Sequence, residues 1–99
     1  MNLSNDVLYG THDKLINLKK QAYDKILNQC VNQIKNTSKT GELMTVFSIP
    51  PFIFGHGYPL INIPACSKYM TNKLVQSNEN IKVEFIEPNL LFIDWTPDS

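Results

Sequence analysis

Arginine is absent from this chain: all nine basic residues are lysines, balanced by nine acidic ones for a formal net charge of zero. Without a guanidinium there is no planar fork to read guanine or to clamp a phosphate through two parallel hydrogen bonds. Cysteine is also scarce. Cys30 and Cys66 lie in segments that read as helical and buried, where a free thiol behaves as a small apolar residue and no disulfide is expected. With His12 and His56 they make four possible zinc ligands, but no two have the close spacing of a structural zinc site, so neither a metal nor a cofactor is expected. No apolar run approaches the roughly 20 residues of a membrane helix, so no membrane contact is expected. The longest candidate, residues 52 to 63, is broken by Gly55, His56, Gly57, Pro59 and Asn62. The opening MNLSNDVLYGTHDK lacks the charged start and apolar centre of a signal peptide, which points to the cytosol.

What is present fits one small domain. Ninety-nine residues support a single core. Residues 1 to 10 read as a lead-in, with Leu3, Val7, Leu8 and Tyr9 able to lie against a core, and 11 to 97 as one α+β domain. From Asp13 to about Asn36, Leu15, Leu18, Ala22, Tyr23, Ile26, Leu27, Cys30, Val31 and Ile34 recur at helical spacing, with Thr11 as the expected N-cap. Leu43 to Ile49 reads as a strand with apolar residues on both faces, which suggests a central position, ended by Pro50 and Pro51. A second helix is expected from Pro64 to Ser77, capped by Asn62 or Ile63, with Cys66, Tyr69, Met70, Lys73 and Leu74 inward. Ile81 to Ile86 and Leu90 to Trp95 then flank Glu87, Pro88 and Asn89 as a hairpin. Its loop should exceed two residues, because proline cannot take the positive φ that the shortest turns need.

The expected fold is therefore two helices packed on a small, mainly antiparallel sheet, in the order helix, strand, helix, hairpin. That order is also compatible with a winged helix, in which Lys68, Asn72 and Lys73 would face a nucleic-acid groove. Against that alternative stand the neutral charge and the acidic hairpin residues Glu84 and Glu87, placed where a wing would meet phosphate. Charge is unevenly spread. Lys14, Lys19, Lys20, Lys25, Lys35 and Lys39 make the first helix basic, whereas Glu79, Glu84, Glu87, Asp94 and Asp98 make the C-terminal region acidic. Such polarity suits a solvated helix face, head-to-tail packing or an acidic partner.

The proline- and glycine-rich stretch FSIPPFIFGHGYPLINIPAC, residues 47 to 66, is the first place to look for catalysis. His56 lacks an orienting carboxylate, since no Asp or Glu lies between Glu42 and Glu79, and GHGYP is no phosphate cradle. A Cys66 nucleophile paired with His56 is the only catalytic arrangement within reach, and a structural connection is the simpler reading. No catalytic residue is assigned. The last strand instead carries apolar residues on both faces, and Leu91, Ile93 and Trp95 are the candidate contacts for a protein partner or for self-association.

Three stretches carry a resemblance. YDKILNQCVNQI (23 to 34), FSIPPFIFGHGYPLINIPACSKYMTNKL (47 to 74) and EPNLLFIDW (87 to 95) resemble a family of small uncharacterised proteins in large nucleocytoplasmic DNA viruses. The pattern departs at Asn80-Ile81, Ile61 and Asp94, and its motifs shape a fold rather than a reaction. The resemblance implies kinship and no reaction. With the missing catalytic constellation and the doubly apolar last strand, it leads to the expectation of a small non-enzymatic viral protein of the host cytoplasm that acts through protein contacts, a minor component of the virion among the roles open to it.

Overall fold

The computed structural model describes residues 5 to 53, 58 and 60 to 97, with side chains from Leu15 onward. The elements are α1 (Asn5–Lys39), β1 (Met44–Ser48), α2 (Ile63–Ser77), β2 (Lys82–Ile86) and β3 (Leu90–Asp94). The α+β class and the element order are as expected. The packing of Leu3, Val7, Leu8 and Tyr9 lies outside the described side chains, and the Gly55, His56 and Gly57 loop lies outside the described residues.

Three features depart from expectation. Helix α1 begins at Asn5, so Thr11 is an interior helical residue and not its N-cap. Nothing between Asn5 and Thr11 forbids helix, because there is no proline and Gly10 costs only about 1 kcal/mol relative to alanine. The same helix continues to Lys39, past Thr37 and Ser38. The Ser38 hydroxyl stays local by donating to the Lys35 carbonyl at 2.9 Å, and the exit comes at Gly41, whose φ of +87° suits glycine.

The second departure concerns the sheet. Its strand order is β1-β3-β2, all antiparallel, so the central strand is β3 and β1 is an edge. The third follows from it. Leu91 and Ile93 are fully buried, in one core with Ala22, Tyr23, Ile26 and Cys30 of α1, Cys66, Met70 and Leu74 of α2, and Phe47, Ile49 and Ile61. Trp95 is half-buried against the same core. The candidate contacts Leu91 and Ile93 therefore offer no surface to a partner, because the chain's own helices occupy their face.

Helix–sheet packing is fixed at its ends by polar bonds. The Gln33 side-chain amide donates to Thr45 Oγ1 at 2.8 Å and to the Val46 carbonyl at 2.9 Å, tying α1 to β1. Asn62 caps α2 by accepting from the Ala65 N–H at 3.1 Å, with proline in the first turn, as the sequence indicates. In α2, Cys66, Met70 and Leu74 face inward, but Lys73 is exposed. Ser67 is buried instead, its hydroxyl satisfied by the Pro64 carbonyl at 2.7 Å. The hairpin closes through residues 87 to 89, with a cis Glu87–Pro88 bond. Asn89 joins its tip to β1 by donating from Nδ2 to Ser48 Oγ at 2.9 Å, while the Ile49 N–H donates to the Asn89 carbonyl at 2.8 Å.

Burial decides which substitutions matter. Ile93→Ala should cost about 2–5 kcal/mol in urea unfolding, the range for truncating a packed core side chain. Val46→Lys, at a position half open to solvent on the opposite face, should stay within about 1 kcal/mol of the parent when both are compared as monomers. Equal losses would mean that the two faces of the sheet are not inner and outer.

Candidate functional site: the outer face of the sheet

Register sorts the side chains of the sheet into two faces, because alternate residues of a strand point to opposite sides. Thr45, Phe47, Leu91, Ile93, Val83 and Phe85 share the inner face, which both helices cover. On the outer face Val46, Phe92 and Glu84 form one cross-strand row, Met44, Asp94 and Lys82 a second, and Ser48, Leu90 and Ile86 a third. No described helix lies over these rows. Met44 and Val46 are each 48% exposed and Ile86 41%. Phe92 sits at the centre, half-buried only by its neighbours. Lys82, Val83, Glu84, Phe92 and Asp94 line an open depression of about 230 Å³ there. The outer face is thus apolar in the middle and charged along the β2 side.

Asp94 borders that face. Its carboxyl is held below the ordinary carboxylate range, first by the Thr96 hydroxyl and then by the Thr96 N–H, which donates to Oδ1 at 2.8 Å, with a further contribution from Lys82. The acid therefore stays charged through any physiological pH.

Elsewhere the structure places reactive residue types where chemistry is suppressed. Cys30 and Cys66 are free and fully buried, and desolvation pushes their thiols up from 9.0 to about 12 and about 11. A nucleophilic thiol needs the opposite shift, so the pairing of Cys66 with His56 loses its physical basis on the cysteine side. The Tyr69 hydroxyl donates to Asp24, joining α2 to α1, and this bond more than burial raises it to about 12. Tyr23 stacks at a tilt on Tyr69, centroids 5.7 Å apart, and its buried hydroxyl has no hydrogen-bond partner among the described residues. Lys73 lies 5.7 Å from the Tyr69 ring centre, a cation–π contact that draws it toward the protein. Lys68 and Asn72, the other candidate groove contacts, are exposed on α2. Among the described residues no His, Cys, Asp and Glu side chains cluster as metal ligands, and no helix is long and apolar enough to cross a membrane.

Comparison with known proteins supplies kinship. Residues 3–75 match the model of a family of unknown function, DUF5759. The chain belongs to this family. It is also 57% identical over 95 residues to "Uncharacterized protein R447" of Acanthamoeba polyphaga mimivirus, an alignment covering 96% of this chain and 77% of that protein. No solved structure matches. The resemblance to proteins of large nucleocytoplasmic DNA viruses is borne out, and the chain is a viral protein. The family match takes in α1, β1 and α2, while the hairpin that completes the sheet lies beyond it.

Sequence reasoning recognised that the last strand has two apolar faces, and the contacts it named, Leu91, Ile93 and Trp95, lie on the one that packs against the core. The signal that separates them is the neighbouring strand: Val83 and Phe85 mark one side as apolar, and Lys82 and Glu84 mark the other as wet.

The raised thiols and phenol set the alkaline limit of the fold. Between pH 9 and about 12 the folded chain keeps protons on Cys30, Cys66 and Tyr69 that the unfolded chain releases. Their contribution to stability is complete below pH 9 and is lost as pH rises through that window. Thermal unfolding followed from pH 8 to 11 should show a falling midpoint, and the fall should be shallower in a Cys30→Ala, Cys66→Ala variant. A midpoint independent of pH in the parent chain would show that the thiols are solvated.

Proposed function

We infer that this is a non-enzymatic viral protein that acts by docking another polypeptide on the outer face of its sheet. The observation that carries this reading is the group of apolar residues on that face, Met44, Val46, Leu90 and Phe92, left uncovered by both helices while the opposite face packs against the core. Small α+β domains bury both sides of an apolar sheet or present one of them to a partner. The suppressed thiols support a role in binding over one in catalysis. The site of action in this reading is the cytoplasm of the infected host, with entry into the particle as a minor component.

Cross-linking of purified particles and infected cells tests the reading, because Lys82 stands on the outer face. Cross-links from Lys82 to another polypeptide, and a fixed ratio of this protein to the major coat protein in particles, are the expected result. Absence from particles together with no Lys82 cross-link in cells would remove it.

Less supports the nucleic-acid alternative. Its favourable observation is the exposure of Lys68 and Asn72 on one helix, but the domain is neutral and its hairpin carries Glu84 and Glu87. In fluorescence anisotropy at low salt, this alternative requires measurable DNA or RNA binding that Lys68→Glu with Lys73→Glu weakens. The docking reading expects no binding by the parent chain.

A further inference from the structure

The molecule measures 66 × 26 × 24 Å, and its length comes from α1. A helix of 35 residues extends about 52 Å at 1.5 Å per residue. A sheet of three five-residue strands spans only about 14 by 17 Å. Only the C-terminal half of α1 can lie on it. Ala22 begins the fully buried stripe, and from Leu15 to Gln21 every side chain is exposed or half-buried, Leu15 at 53% and Ile16 at 52%. Leu15, Leu18, Ala22 and Ile26 follow one another at steps of three and four, so the projecting half carries the same apolar stripe on the same side as the half that packs. A helical segment this long depends on packing for its stability.

Two uncovered apolar surfaces therefore exist on one chain, and each has the other's shape. The outer face of the sheet is about the width of one helix, whose diameter with side chains is about 10 to 12 Å. Its rim bears Glu84, Asp94, Lys82 and, at the hairpin, Glu87, a net negative edge, while the projecting helix carries exposed Lys19 and Lys20. Within one chain the two cannot meet, because α1 is a single helix whose other half is fixed to the inner face.

We propose that a second copy supplies the cover: in a closed two-fold dimer, the projecting half of each α1 lies across the outer face of the other copy's sheet. This rests on the reading that the outer face is a docking surface, and it names the occupant. The two long helices run antiparallel on the outside with both sheets between them. Each sheet is then covered on its inner face by its own α1 and on its outer face by the partner copy's. Because the stripe of α1 faces one side throughout, no bend is needed. Area also favours exchange over simple stacking. Sheet pressed on sheet would cover about 240 Å² on each side, against the ~800 Å² per partner of a stable complex. Two helix-on-sheet contacts double that to about 480 Å² on each side.

Sedimentation equilibrium of the full chain, with circular dichroism to confirm that each variant is folded, tests the arrangement. The parent chain should be a dimer at micromolar concentration. Leu15→Lys on the helix and Val46→Lys on the sheet should each raise the dissociation constant by more than about tenfold. An equimolar mixture of the two variants should form heterodimers that keep one of the two contacts, where the intact helix of one meets the intact sheet of the other. A monomeric parent chain overturns the proposal, and if Lys82 still cross-links to a different polypeptide the docking reading survives that loss. A dimer indifferent to Val46→Lys overturns it as well, pointing to helix on helix.

Discussion

Every strand pairing in this protein runs through β3. It hydrogen-bonds to β1 on one side and β2 on the other, and its inward residues Leu91 and Ile93 are wholly excluded from solvent. Burying two such side chains contributes about 1.5–3 kcal/mol each. Long-range pairing makes the effect larger than local. β1 and β3 are separated by more than forty residues, so β3 is what holds the long loop, α2 and the hairpin to the N-terminal helix. The Asn89 bonds to Ser48 and Ile49 and the bond from the Trp95 N–H to the Leu43 carbonyl, at 2.9 Å, extend the same β1–β3 contact beyond both ends of the ladder.

From that constraint the position of both helices follows. Phe47, Leu91, Ile93, Val83 and Phe85 present one continuous apolar surface, and α1 and α2 meet over it. Their mutual angle is held by the Tyr69 hydroxyl on Asp24 and by the Tyr23–Tyr69 ring contact, so a polar link spans the helix pair at the edge of an apolar core. Cys30 and Cys66 fill the interior between these elements. A thiol there is a packing group, and its burial is what raises its pKa.

Much of this was legible in the residues. The periodicity of Ala22 to Ile34 gives the packed half of α1, Asn62 and Pro64 give the start of α2, and Glu87, Pro88 and Asn89 give the hairpin. What periodicity does not encode is the extent of the surface a helix meets. Leu15 and Leu18 have the spacing of core residues, yet the sheet ends before it reaches them. Nor does it rank strands. Met44 and Val46 make β1 apolar on both faces, which within one chain is the pattern of a central strand, and the same residues make an edge strand whose outer face awaits a cover. The two faces of β3 are hard to tell apart for the same reason: Leu91 and Phe92 are equally apolar, and only the register with Val83 and Glu84 separates inside from outside.

Length and charge then acquire one explanation. Bare sheet and bare helix arise from the same mismatch, a helix of 35 residues joined to strands of five. A chain that needed only its own core could have begun α1 near Ala22 or carried polar residues at Leu15 and Ile16, and it could have placed threonine or lysine at Val46. It does neither, and it concentrates lysine on the helix and carboxylates on the hairpin side of the sheet. Neutrality of the whole conceals opposite signs at the two surfaces that lack cover. Charges so arranged attract between chains and fix the orientation of approach, while the apolar rows beneath them supply what long-range attraction cannot, the exclusion of water from Val46 and Phe92.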